Sequence, residues 1–232
     1  MREREKEVKG RKGEEMKEKE VLGMVVTERD LTVLWVVHKF RFVLGRHIRV
    51  LAGFASARVA DRRLKLLIGA GYLSRKKYLY GMPYLYTLSH KGRILLSVNK
   101  REDKIGVHHI THDIHVMEAV IFYRDKYNLE LSDITSNKEM NITDGFGNRR
   151  HHPDFVFIHE GEKYGVEIEL TPKDKKRLDK NISDNYESFD YQIWITNNNK
   201  AYSLITNYFD TYPNIVLLRL EEVKKYVEGR YN

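Results

Sequence analysis

The sequence predicts an α+β chain of two unlike halves: a small basic unit of helices and a two-stranded ribbon, then an α/β sandwich with a mixed sheet. Three observations carry that expectation. Charge is segregated, with 15 Lys and Arg against 3 Asp and Glu over residues 27–100 (net +12), and 18 against 23 over residues 101–232 (net −5). Apolar residues recur at helical spacing from Thr27 to Ala70 and give way to strand-like runs from Tyr72 to Leu88. Beyond Leu129, short apolar runs alternate with helical patterns, and Pro153 to Glu169 is the sharpest strand–turn–strand signal.

A length of 232 residues accommodates two domains. The expected division is a charged flexible tail over 1–20, a basic domain over 21–100 and an acidic domain over 105–232. Cysteine is absent, which excludes a disulfide framework and thiolate metal sites and fits a reducing cytoplasm. No apolar run approaches the roughly 20 residues that span a bilayer. The N-terminus is charged with both signs and lacks the apolar stretch of a signal peptide.

In chain order, Thr27-Glu28-Arg29-Asp30 has the form that starts a helix, with Leu31, Leu34, Trp35 and Val37 as its expected buried stripe. A second helix fits Arg46 to Ala52. A third fits Ser56 to Ala70, stopped by Gly71, with Arg58, Arg62 and Lys65 on one side and Ala60, Leu64 and Leu67 on the other. Tyr72 to Tyr80 and Pro83 to Leu88 read as strands joined by Gly81-Met82, with Arg75, Lys76 and Lys77 on the first and tyrosines interleaved. Ser89 then leads into a helical pattern through Leu96. Three helices followed by a basic ribbon is the winged helix-turn-helix plan, whose third helix enters the major groove while the wing follows the backbone. Double-stranded DNA is the partner this implies. Arg58 is the best base-edge candidate, Arg62 and Lys65 reach bases or phosphates, and Arg75, Lys76 and Lys77 serve the wing.

After a polar junction at Lys100 to Lys104, a helix runs from Gly106 to Tyr127. His108, His112 and His115 fall at i, i+4 and i+7 on it, with Asp113 and Glu118 nearby, a second-rank candidate cluster for metal, for DNA backbone or for polar packing alone. Leu129 to Ile134 suggests a first strand and Asp144 to Asn148 a Gly-rich turn. In the hairpin that follows, pairing about Glu160-Gly161 sets Asp154 opposite Glu167. Period-two alternation puts Glu167 and Glu169 on one face, away from Val166, Ile168 and Leu170. Three carboxylates at one point on a sheet suit a hard divalent cation, Mg2+ or Mn2+; the alternative is a half-buried hairpin whose glutamates face water. Thr171 can cap the next helix with Pro172 at its first position, setting Lys173, Lys176 and Lys180 along one side. A strand over Tyr191 to Thr196, a helix over Lys200 to Phe209, a strand over Asn214 to Leu220 and a helix over Glu221 to Val227 complete the order α-β-β-β-α-β-α-β-α.

From Thr27 to Leu220 the chain resembles the replication-relaxation family of plasmid and integrative-element proteins, which includes the MobC-type conjugative relaxases. The resemblance rests on the winged-helix unit, the His108…Asp113 helix start, Pro153-Asp154, and Glu167-x-Glu169 followed by a Lys-rich helix. It implies a restriction-endonuclease-like, PD-(D/E)xK domain in the second half. It also implies that Asp154 and Glu167, with Glu169, hold Mg2+ or Mn2+. The lysine of that pattern is replaced by Glu169, as in the narrower family, and Lys176 or Lys180 would supply the charge from the following helix, with Glu118 as a further carboxylate. The expected function is a DNA-processing protein that binds an origin or transfer site and nicks it. Other replication or conjugation proteins and a second copy of the chain would be its further partners. The alternative is a non-catalytic initiator, relaxosome accessory factor or transcriptional regulator.

Overall fold

A computed structural model describes residues 24–78, 80–98, 104–143 and 151–231. The expected tail, most of the Lys100 to Lys104 junction, and the Gly-rich turn with Arg149 and Arg150 lie outside the described residues. The fold is mixed α+β, with several helices, a three-stranded sheet and a mixed five-stranded sheet.

Helix α1 (Glu28–Lys39) starts as its sequence dictates: Asp30 N–H donates to Thr27 Oγ1, and Thr27 N–H donates to the Asp30 carboxylate at 2.7 Å. Val33, Leu34, Val36 and Val37 are buried on α1, whereas Trp35 is 48% exposed and not part of the stripe. One residue turns the helix by about 100°, so a buried surface spanning both sides of position 35 leaves that ring outside. Helix α2 (Gly45–Leu51) and helix α3 (Ala57–Gly69) follow, the latter capped by the Ser56 side chain and ended at Gly71, whose φ is +79°.

Strands β2 (Leu73–Lys76) and β3 (Leu85–Leu88) pair antiparallel, and the two-residue β1 (Val43–Leu44), not foreseen from sequence, adds to the other edge of β3. The ribbon strands are shorter than expected, which leaves Lys77, Tyr78 and Tyr80 in the connecting loop. Helix α4 (His90–Leu95) packs its Gly92 so close to β2 that a Cβ there would lie 2.2 Å from the Tyr72 carbonyl oxygen.

A 3-10 turn over Val107–His109 leads into α5 (Ile110–Tyr127), ended by Asn128 in the left-handed region. The strand expected over Leu129 to Ile134 is replaced by a 3-10 turn at Leu131–Asp133 and then β4 (Ile134–Ser136). The Asp133 carboxylate accepts from Glu130 N–H at 2.8 Å and closes the chain into that turn. Helix α6 (Asn137–Thr143) is additional to the expected order. Strands β5 (Phe155–His159) and β6 (Glu162–Ile168) form the expected hairpin, with Glu160 and Gly161 at φ +51° and +87° in its two-residue turn. Helix α7 (Lys175–Ser188), β7 (Tyr191–Thr196), α8 (Asn199–Thr206), β8 (Ile215–Arg219) and α9 (Leu220–Tyr231) complete the chain. The sheet order is β4-β5-β6-β7-β8, antiparallel from β4 to β6 and parallel from β6 to β8.

Both faces of this sheet are covered. One apolar core joins Val33 and Leu64 of the first half to Val120, Val166, Ile168 and Val223 of the second. A smaller cluster of Leu178, Ile182, Trp194 and Ile205 covers the opposite face. Glu167 pairs in register with Trp194, and Glu167 and Glu169 are each only 4% exposed. The glutamates therefore do not face water. No helix among the described residues is long and apolar enough to cross a membrane.

Candidate functional site

The sheet brings the acidic residues together at the C-terminal end of β6. Phe155 pairs with Val166, so continuing the register sets Asp154 beside Glu167, and Asp154 N–H donates to Val166 O at 2.9 Å. The Asp154 carboxylate then bends along the ladder and accepts from Ile168 N–H at 2.8 Å. Asp154, Glu167 and Glu169 all line one open cleft of about 660 Å³. Its other walls come from the end of α1 and the α1–β1 link (Lys39, Arg41), the 3-10 turn and the start of α5 (His108, His112, Asp113), and the approach to α7 with its first turn (Lys173, Arg177). An acidic floor under a basic and imidazole-rich rim is the result.

Each carboxylate on the floor meets a protein cation or imidazole. His112 reaches Asp113 Oδ1 through Nδ1 at 3.2 Å, and through Nε2 approaches Asp154 Oδ2 at 3.3 Å and the Ile168 carbonyl at 3.1 Å. Burial disfavours its charged form, but Asp113 and Asp154 outweigh that and push its pKa up to about 10, so it is an imidazolium at neutral pH. His151 contacts Glu167. Lys173 Nζ lies 2.6 Å from Glu169 Oε2 and 5.4 Å from the centre of the Trp194 ring.

Glu169 feels the other two carboxylates. Burial raises the Glu169 pKa, Lys173 lowers it, and the charges on Glu167 and Asp154 raise it again, leaving it above the ordinary value. Burial works against the Lys173 charge, but Glu167, Glu169 and Asp154 together hold its pKa above that of a free lysine. Among the described residues, no three His, Asp or Glu side chains are arranged as a group that could hold a metal ion. One oxygen of each of the three carboxylates lies against His112, His151 or Lys173. Their chemistry nevertheless suits a hard cation, and the buried Glu169 Oε2 has no aligned hydrogen-bond donor.

The placements of several expected residues differ from the sequence reading. Helix α7 is capped by Asp174, whose side chain accepts from Arg177 N–H at 3.0 Å, so Thr171-Pro172-Lys173 remains outside it. Lys173 thereby hangs over the carboxylates, whereas Lys176 and Lys180 are exposed on α7, and Lys180 pairs with Asp184 at 2.5 Å. The histidine row is divided. His108, His112 and Asp113 border the cleft, but His115 Nδ1 lies 2.8 Å from Glu118 Oε2, and Glu118 also receives Arg46 at 3.0 Å. Glu118 is thus tied to α2 and does not join the acidic floor. His151, Arg41 and Arg177 are site-lining residues that sequence reasoning did not single out. His151 stands just before Pro153-Asp154, which is the one local signal for it.

The basic face of the first half is a separate surface. Arg58, Arg62 and Lys65 are exposed on α3, together with Val59 and Leu66. Arg75 of β2 lies over the Tyr84 ring at 4.8 Å, Lys76 over Tyr78 at 5.2 Å, and Lys77 in the loop over Tyr80 at 5.6 Å. These cations are exposed, so they present an unburied positive surface with aromatic rings between them. Neighbouring Arg63 is committed inward: its Nε donates to the buried Asp30 at 2.7 Å.

No protein-family model matches the chain, and no curated protein matches it.

Proposed function

We propose that this chain is a DNA-processing protein of a mobile element, akin to the replication-relaxation proteins, which binds duplex DNA at an origin or transfer site and nicks it. In this reading the first half is a winged helix and the second a restriction-endonuclease-like domain. The observation that carries the proposal is the meeting of Asp154, Glu167 and Glu169 under Lys173 in a cleft with a basic rim. Arg58, Arg62 and Lys65 on α3 take the major groove, and Arg75, Lys76 and Lys77 follow the backbone.

Asp154 and Glu167, with Glu169, would hold Mg2+ or Mn2+, which when bound supplies Lewis-acid stabilisation of the scissile phosphate and lowers the pKa of water. Lys173 takes the place of the lysine missing after Glu167. Kept protonated by the carboxylates around it, it sets a positive charge beside the phosphate oxygens as negative charge builds on them. Trp194, fully buried, lies under the Lys173 ammonium, and the low exposure of Glu167 and Glu169 strengthens each of these interactions.

One observation favours a second reading. Because His112, His151 and Lys173 already answer the carboxylates, the site can also stand as a self-satisfied polar core in a non-catalytic DNA-binding protein. Incubating supercoiled plasmid bearing the element's own origin region with the protein separates the two. Nicking with Mg2+ or Mn2+ that is lost in EDTA and in Asp154→Asn and Glu167→Gln, with no loss of DNA affinity, is the expected result. Binding with no nicking under any metal would establish the regulator instead.

A further inference from the structure

We propose that Arg41 and Arg177 form a phosphate clamp that seats a DNA strand in the cleft, so that the first half of the chain completes the active site instead of merely delivering it. The inference rests on the nuclease reading for the identity of the ligand. Both residues line the same cleft as Asp154 and Glu167, Arg41 from the α1–β1 link and Arg177 from the first turn of α7.

Arg41 is held where an arginine is not at ease. Its φ is +66°, a left-handed conformation that side chains with a Cβ rarely adopt. The link is fixed around it from both halves. Lys39 Nζ binds Glu139 of α6 at 2.8 Å, Lys138 Nζ donates to His38 O at 2.7 Å, and Phe42 N–H donates to Phe40 O at 2.7 Å. Phe40 and Phe42 are buried on either side. The neighbouring lysines are thus occupied in anchoring, while among the described residues the Arg41 guanidinium has no acidic or hydrogen-bonding partner, and neither has that of Arg177. Two uncommitted guanidinium groups bordering three carboxylates call for an anion between them. A phosphodiester strand fits, since a guanidinium fork matches two phosphate oxygens and successive phosphates can meet successive arginines. The carboxylates would repel such a strand unless cations of this kind outweighed them.

The test uses the full chain in EDTA with a short fluorescein-labelled oligothymidylate, read by anisotropy over a salt series. Arg41→Gly relieves the left-handed strain while removing the guanidinium, so the fold is kept and its melting temperature is not lowered. The expected result is a loss of affinity of about tenfold for Arg41→Gly and for Arg177→Ala. Each should also reduce the slope of log K against log salt by about 0.7. Arg41→Lys should restore part of the loss, and Asp154→Asn should tighten binding by removing a charge beside the phosphate. Absence of binding by the wild type, or an unchanged affinity and salt slope in Arg41→Gly, would overturn the clamp. Because the readout needs neither metal nor cleavage, a wild-type chain that binds through Arg41 but never nicks contradicts the nuclease reading alone.

Discussion

At Lys173 burial and charge pull in opposite directions. The ammonium stands largely out of water, which alone would lower its pKa, yet three carboxylates around it raise the pKa instead. The carboxylates depend on it in turn, because Glu169 is buried beside Glu167 and Asp154 and, among the described residues, Lys173 is the cation paired with it. Lys173→Met should therefore leave an uncompensated buried charge and cost about 3 kcal/mol in urea unfolding at pH 7. Adding Glu169→Gln should recover at least half of that loss; a double variant no more stable than Lys173→Met would show that the two groups are not partners. Lys173 was hard to pick out in the sequence because Thr171-Pro172 reads as a helix start. Asp174 wins as the cap, its carboxylate accepting the Arg177 N–H, and the three residues before it stay outside the helix, with the Lys173 ammonium on Glu169.

Between elements, the Asp30–Arg63 contact joins the start of α1 to α3 and so fixes the angle at which the basic face is presented. Asp30 is fully buried; burial raises its pKa, but hydrogen bonds from Arg63 and Thr27 outweigh that and hold the carboxyl below the ordinary range. A folded-state pKa below the unfolded one means that the stabilisation is present above the unfolded value and is lost as pH falls through the folded one. The stability gap between wild type and Asp30→Asn, measured by urea unfolding, should accordingly be widest near pH 6 and narrow below about pH 4. A gap that stays constant down to pH 2 would contradict this account of the contact. Much at this scale was legible: Thr27 with Asp30, Ser56 before α3, and Glu160-Gly161 between β5 and β6 are local signals, and each element begins or turns there. Strand β1 and helix α6 were not, since two residues of strand carry no period and α6 depends on Glu139 capping Ser136 N–H at 2.8 Å. The exposed Trp35 misled for a related reason: an aromatic in a helical stripe reads as core, and only the tertiary neighbours decide.

Across the whole molecule the two halves are less separate than their charges suggest. Val33, Leu64, Val120 and Val223 belong to one apolar core, Arg46 of α2 binds Glu118 of α5, and the α1–β1 link is tied to α6 by Lys39 and Lys138. A shared core unfolds as a unit, so calorimetry of the intact chain should show one transition whose van't Hoff and calorimetric enthalpies agree; two resolved transitions would mean independent domains. The sequence distinguishes the halves by charge and pattern but holds no local trace of this junction, which arises from residues some 70 to 100 positions apart. The same long-range closure assembles the cleft, drawing its rim from α1–β1, α5 and the approach to α7 around a floor set by β5 and β6. The most direct test of the claim that this floor holds one divalent ion is a calorimetric titration of the metal-free chain with Mn2+. Uptake of one ion per chain by the wild type, abolished in Asp154→Asn and in Glu167→Gln while both variants keep the wild-type melting temperature, is the predicted result. Equal uptake by wild type and variants, or none at millimolar Mn2+, would contradict it.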